Sequence, residues 1–169
     1  MSDTLQRDQV CALAKTSPTK ALDKARGIKG PWFRAQALSW VARFTDSNPV
    51  GIAALAAKAA AACDDEYKRS AVRAWEVAAL AERGERAVAK RSLAEALRSA
   101  RRIQPASSRS EALLLLMQAA FKIDAGEARS VHKTLTDLCP ASEHWRCKRA
   151  IRDADEMIAG KSEAREFFR

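Results

Sequence analysis

The stretch Ala21-Leu22-Asp-Lys-Ala25-Arg26-Gly-Ile28-Lys-Gly-Pro-Trp-Phe-Arg34-Ala-Gln-Ala37-Leu38 returns 75 residues later as Ala96-Leu97-Arg-Ser-Ala100-Arg101-Arg-Ile103-Gln-Pro-Ala-Ser-Ser-Arg109-Ser-Glu-Ala112-Leu113. Eight positions keep both residue identity and spacing, so one structural unit is used twice. A degenerate copy lies between them, with Ala56, Ala60, Cys63, Arg69 and Val72 in the corresponding places, so the units step by 35 and then 40 residues. Trp40, Trp75 and Leu115 share one register and supply a large apolar side chain to the second half of each unit.

Working outward, the breaks in the pattern fall where helix ends belong. Pro suits the first turn of a helix, and a preceding Ser, Asn or Asp accepts the unpaired backbone N–H groups. Ser17-Pro18, Gly30-Pro31 and Asn48-Pro49 read as starts. Ser108 with Glu111 has the form of a capping box. Gly84, Asp124, Pro140 with Ser142, and Gly160 mark further boundaries. These signals predict nine helices, at about 3–15, 18–29, 31–44, 49–62, 65–83, 85–103, 108–123, 126–138 and 142–159, with a short tail helix after Ser162. Leu113 to Met117 is five large apolar residues in a row, so that helix should be central. Ala53 to Ala62 is almost entirely small, which lets neighbouring helices approach closely, with Trp40 and Trp75 as the expected source of bulk.

Composition agrees with an all-α protein. Among 169 residues, 47% are hydrophobic and only 6% aromatic, which favours alanine-rich helices over strands. This length suits one domain, divided as an N-terminal capping helix (1–16), repeats (18–160) and a C-terminal tail (161–169). Arg7-x-x-Val10 echoes Arg34-x-x-Ala37, so the first helix reads as half a unit, and Phe167-Phe168 reads as a cover for the far end. The formal charge of +9 attracts acidic partners or polyanions. The Met1 to Asp8 segment lacks the basic-then-apolar order of a signal peptide, and no apolar run reaches the ~20 residues of a membrane span. A soluble, cytoplasmic protein with no membrane association is the expectation, and the sparse Cys11, Cys63, Cys139 and Cys147 suit reduced thiols in apolar helical patterns.

Through Arg34-x-x-Ala37-Leu38, Arg69-x-x-Val72, Arg109-x-x-Ala112-Leu113 and the Asp65 to Ala74 stretch, the chain resembles HEAT-like and tetratricopeptide-like helical repeat proteins over about residues 18–160. The Trp, Leu-Gly and Tyr offsets of the tetratricopeptide pattern are incomplete. The resemblance implies a right-handed α–α superhelix of about four antiparallel hairpins whose concave face, in similar proteins, holds a partner. It brings no catalytic residue with it.

Two candidate surfaces follow. On the sixth helix Arg91, Arg98, Arg101 and Arg102 project to one side, opposite Leu93, Ala96, Leu97, Ala100 and Ile103. Arg83, Arg86 and Lys90 extend this basic stripe, which can pair with phosphates or acidic peptides; the plainer reading is a solvated helix face. The second surface is a rim where second helices begin. Trp32 and Tyr67 are equivalent, each two residues before Arg34 or Arg69, and Trp145-Arg146 stands at a similar start. Aromatic residues and Arg dominate binding hot spots, although an Arg at such a junction can instead bond the preceding helix's carbonyls.

His132, Cys139, His144 and Cys147 crowd into sixteen residues, but their spacing matches no zinc motif, and a metal-free packed cluster is expected. No Gly-rich phosphate loop, nucleophile elbow or paired catalytic carboxylates stand out, so no enzyme activity, cofactor or small-molecule substrate is expected. The leading expectation is a scaffold or adaptor that binds an acidic segment of another protein. The alternative is a nucleic-acid binder using the basic stripe, and a third option is a stand-alone structural or oligomerising domain, since the ends of a stack expose apolar faces unless capped.

Overall fold

A computed structural model describes residues 1–169 and contains helices and no strands. In chain order these are α1 (Asp3–Ala14), α2 (Pro18–Arg26), α3 (Pro31–Phe44), α4 (Pro49–Ala61), α5 (Glu66–Ala71), α6 (Arg73–Glu82), α7 (Arg86–Ala100), α8 (Ala106–Ala120), α9 (Ala125–Leu138) and α10 (Trp145–Ile158). The helix expected over 65–83 is interrupted at Val72, where Trp75 N–H reaches back only three residues to the Val72 carbonyl. Counting α5 and α6 as one interrupted helix gives nine.

Local chemistry explains most ends. Asp65 and Asp124 accept from the N–H groups of Lys68 and Glu127. Asn48 takes a left-handed conformation (φ 53°) and accepts from Gly51 N–H, while Gly84 and Gly160 supply the positive φ that closes α6 and α10. Three expected features differ. The Ser108 capping box does not form, because α8 begins earlier, at Ala106, which puts Ser108 inside the helix. The last helix starts at Trp145 rather than Ser142, capped by His144 Nδ1, which accepts from Arg146 N–H. No helix follows Ser162; Lys161 and Ser162 N–H close back on the Glu156 carbonyl, and the irregular strap beyond them is held mainly by its side chains.

Packing follows a regular rule. Helices α1, α3, α6, α8 and α10 touch one another in succession, while α2, α4, α7 and α9 each lie against two successive members of that series. Buried alanines at these contacts, such as Ala21, Ala25, Ala56, Ala60, Ala96 and Ala100, allow close approach of the helix axes. These six occupy the repeat positions, so the repetition in sequence is repetition of a helix-to-helix contact. As its apolar run predicts, α8 is central: it meets α5, α6, α7, α9 and α10, and Leu113, Leu116 and Met117 are fully buried. Ser70 Oγ donates to the Ala96 carbonyl at 2.9 Å, tying α5 to α7 inside the core. No helix is long and apolar enough to cross a membrane.

Candidate functional site

The repeated arginines have a shared task. Arg34 Nη1 donates to the Ile28 carbonyl (3.4 Å), Arg69 Nε to Cys63 (2.8 Å) and Arg109 Nη1 to Ile103 (3.0 Å), in each case six residues upstream. Each guanidinium thereby satisfies a carbonyl left unpaired at the end of the preceding helix. Arg109 does more, reaching the Leu138 carbonyl at the end of α9 through both Nε and Nη2. Arg7, without a preceding helix, instead bonds Gln36 Oε1 (2.6 Å) and lies over the Phe33 ring.

Beside these clamps the aromatic residues of the rim do come together. The Trp32 and Tyr67 rings lie nearly parallel, with centroids 6.4 Å apart, and Trp32 meets Trp75 edge-on at 6.1 Å. Trp32 and Tyr67 line a cleft of about 590 Å³, closed by Pro31, Phe33, Asp64 and Lys68. Gly30 at its wall approaches α1 so closely that a Cβ there would sit 2.5 Å from Asp3 Oδ2, the atom that accepts the Gly30 N–H. Burial, then the charges of Glu111 and Asp65, push the Tyr67 phenol up, with Arg146 opposing; α5 and α10 both pack on α8. At the start of α10 Trp145 is 59% exposed, with the Arg146 and Arg149 guanidinium groups 5.5 and 5.2 Å from its ring and both drawn to Glu111. An exposed indole flanked by two cations is a chemically specific surface.

The basic stripe lies on α7 and the turn that follows it. All four arginines are exposed, as the helical projection predicts, while Leu93, Ala96, Ala100 and Ile103 are buried. Its charge is partly compensated: Arg83 pairs with Asp46, Arg86 and Lys90 with Asp124, and Arg102 stands 3.9 Å from Glu66. Arg91, Arg98 and Arg101 have no ion pair. In the adjoining groove between α4 and α7, the Arg73 guanidinium grips Glu76, which is 3% exposed, through two hydrogen bonds (2.8 and 3.1 Å) and reaches Glu95 at 3.0 Å.

The histidines and cysteines near the C-terminus take separate roles. His132 Nε2 sits 2.6 Å from Asp155 Oδ1, His144 caps α10, and Cys139 and Cys147 are wholly buried, with the Cys139 thiol pushed up by burial and opposed by Arg109. No three His, Cys, Asp or Glu side chains converge as a metal-ligand set.

The tail docks elsewhere than its phenylalanines suggest in sequence. Phe167 and Phe168 do not cover the far end of the stack. Phe167 packs edge-on against Trp75 (5.5 Å), and Phe168 against Trp40 (5.5 Å) and Phe44 (6.5 Å), on α6 and α3. Trp40 and Trp75 thus bear the strap as well as belonging to the core. At about 100° per residue, Trp75 projects from the side of α6 opposite Arg73, Glu76 and Leu80, which face the α4–α7 groove. Comparison with family models, with curated proteins and with solved structures finds no match to this chain.

Proposed function

We propose that the chain is a non-enzymatic helical-repeat adaptor that binds an acidic segment of another protein along the Trp32, Tyr67, Trp145 and Arg146 edge. The observation that carries this reading is the stacked Trp32 and Tyr67 pair together with, where α5 and α10 both pack on α8, an exposed Trp145 between two arginines. The succession of contacts among α1, α3, α6, α8 and α10, flanked by α2, α4, α7 and α9, supports a right-handed α–α superhelix of about four hairpins. A net charge of +9 steers acidic partners toward such a surface, and aromatic rings contribute most where they become fully desolvated. Arg34 and Arg69 contribute by fixing the turns that present Trp32 and Tyr67.

The test is capture from nuclease-treated lysate by the wild-type chain, by Trp145→Ala and by Trp32→Ala, with melting curves alongside. A protein retained by the wild type and lost by a folded Trp145→Ala variant supports the edge. Equal retention by both variants refutes it. The second reading, a nucleic-acid partner, rests on the exposed and unpaired Arg91, Arg98 and Arg101. It predicts binding that weakens steeply with salt and a shallower slope when those residues and Arg102 become Ala. Failure of duplex and single-stranded DNA and RNA to bind at low salt would exclude it.

A further inference from the structure

The strap that crosses α3, α6 and α8 is attached in an unusual way. From Glu163 to Arg169 its one main-chain hydrogen bond to the rest of the molecule is Arg165 N–H to Gln118 Oε1 (2.9 Å). Everything else is side chain: the two phenylalanines, the Arg165 guanidinium 5.1 Å from the Trp75 ring, and Glu166 paired with Lys122 at 3.1 Å. The strap follows a Gly160 hinge (φ 71°) and exposed residues Lys161 to Glu163, so it can leave without disturbing a helix. A segment with so few backbone bonds belongs to the least stable part of a fold.

What it covers is an aromatic surface on α3 and α6. Trp40 and Trp75 hold the same register one 35-residue unit apart, which gives two aromatic walls at the spacing of the repeat. Cations rim it: Lys15 Nζ lies 5.4 Å from the Trp40 ring, Arg43 5.1 Å from Phe44, and Lys122 engages Glu166. Lys15 has no ion pair of its own. The surface therefore suits adjacent aromatic side chains in an extended chain with a carboxylate beside them, and Glu166-Phe167-Phe168 is such a sequence.

We propose that the surface of Trp40, Phe44, Trp75 and Lys122 is a docking site for an extended segment of another protein carrying an acidic residue followed by two aromatics, and that residues 161–169 are a tethered occupant which that partner displaces. This surface adjoins the edge where Trp75 meets Trp32 but does not depend on Trp145. The tether sets the apparent affinity, because a partner binds only the fraction of molecules whose strap is open. The pattern Glu-Phe-Phe also explains why the strap is irregular: both rings face receptor walls on two different helices.

The test uses the full-length chain and a fluorescent peptide of the sequence Lys161 to Arg169, read by anisotropy. The wild type should bind it at least about ten-fold more weakly than a Phe167→Ala/Phe168→Ala variant, whose own strap no longer competes. Adding Lys122→Glu to that variant should weaken binding, and a peptide with Glu166 replaced by Lys should restore it. Should the double variant lose its helical signal, Glu166→Lys in the full chain loosens the strap from an exposed position and should likewise bind the unmodified peptide more tightly than the wild type. Trp145→Ala should leave these affinities unchanged, so the surface and the edge fail independently. The proposal is overturned if folded, strap-loosened variants do not take the peptide or if the wild type binds it as tightly as they do. It is also overturned if light scattering shows the wild type to be a strap-exchanged dimer, for then the occupant in trans is a second copy.

Discussion

Replacing Arg109 with Ala tests whether the repeated arginines are turn clamps. Its guanidinium bonds the Ile103 carbonyl at 3.0 Å and the Leu138 carbonyl through two nitrogens, joining the ends of α7 and α9 at the start of α8. Hydrogen bonds from a charged donor contribute about 1.5–3 kcal/mol each, and loss of the donor leaves two half-buried carbonyls without it. Water can reach this partly buried site, so about 2–4 kcal/mol is expected for the loss of the set. Arg69 makes one good carbonyl bond (2.8 Å) and a surface pair with Glu66 that contributes little, so Arg69→Ala should cost about 1–2 kcal/mol. Arg34 makes a single long bond of 3.4 Å, and Arg34→Ala should cost about 0.5 kcal/mol. The assay is urea unfolding followed by circular dichroism, in which the midpoint should move in the order 109, 69, 34 with the slope unchanged. For a chain of this size Arg109→Ala should also lower Tm by about 5–15 °C. Equal costs for Arg34→Ala and Arg109→Ala would refute the reasoning, because they would separate stability from the geometry of the bonds.

Other outcomes can be read from single sites. The Asp124 carboxyl is held below its ordinary range by the Glu127 backbone N–H and then by Lys90, with partial burial opposing, so it adds stability above the ordinary carboxylate range that is lost as pH falls through its depressed value. Asp124→Asn keeps a capping oxygen without the charge, and its Tm deficit should shrink steadily as pH is lowered from 7 toward 3; a constant deficit would argue against the ion pairs. Burial pushes the Cys11 thiol up to about 12, and Cys63 and Cys139 also rise, so the native protein should resist a thiol reagent at pH 8 while all four cysteines react once urea unfolds it. Gly30→Ala should break the Asp3 contact and loosen α1, visible as faster amide exchange in residues 5–14; unchanged exchange there would show that the turn absorbs the extra carbon.

Much of the fold was legible because the sequence repeats contacts. Ala21, Ala25, Ala96 and Ala100 recur because helices approach closely there, and all four are fully buried. Pro and Asp signals located α2, α3, α4 and α9, since those residues act on backbone groups within one turn. The start of α8 was misread because Ser108 and Glu111 satisfy a local pattern while the chain has already turned helical at Ala106. Half of the candidate edge was legible in the same way. The equivalence of Trp32 and Tyr67 put them on one edge, where their rings stack, whereas the packing of α5 and α10 on α8, which brings Trp145 into the same region, leaves no trace in local spacing.

Trp40 and Trp75 expose the weak step in reading function from repeats. A residue that recurs once per unit is naturally assigned to packing within the unit, which leaves partner recognition to positions where the copies differ. Yet recurring positions on the side of α3 and α6 away from the flanking helices line up as a track, and a track of identical aromatic walls is itself a surface. The tail shows what such a track accepts: two phenylalanines, one for each wall. In the third copy the same register holds Leu115, which is half-buried and offers no ring. The two aromatic walls therefore end at α6, and at the end of α8 the strap is held instead by polar contacts with Gln118 and with Lys122 in the turn that follows. Repetition creates the track, and the departure from repetition at Leu115 sets its length.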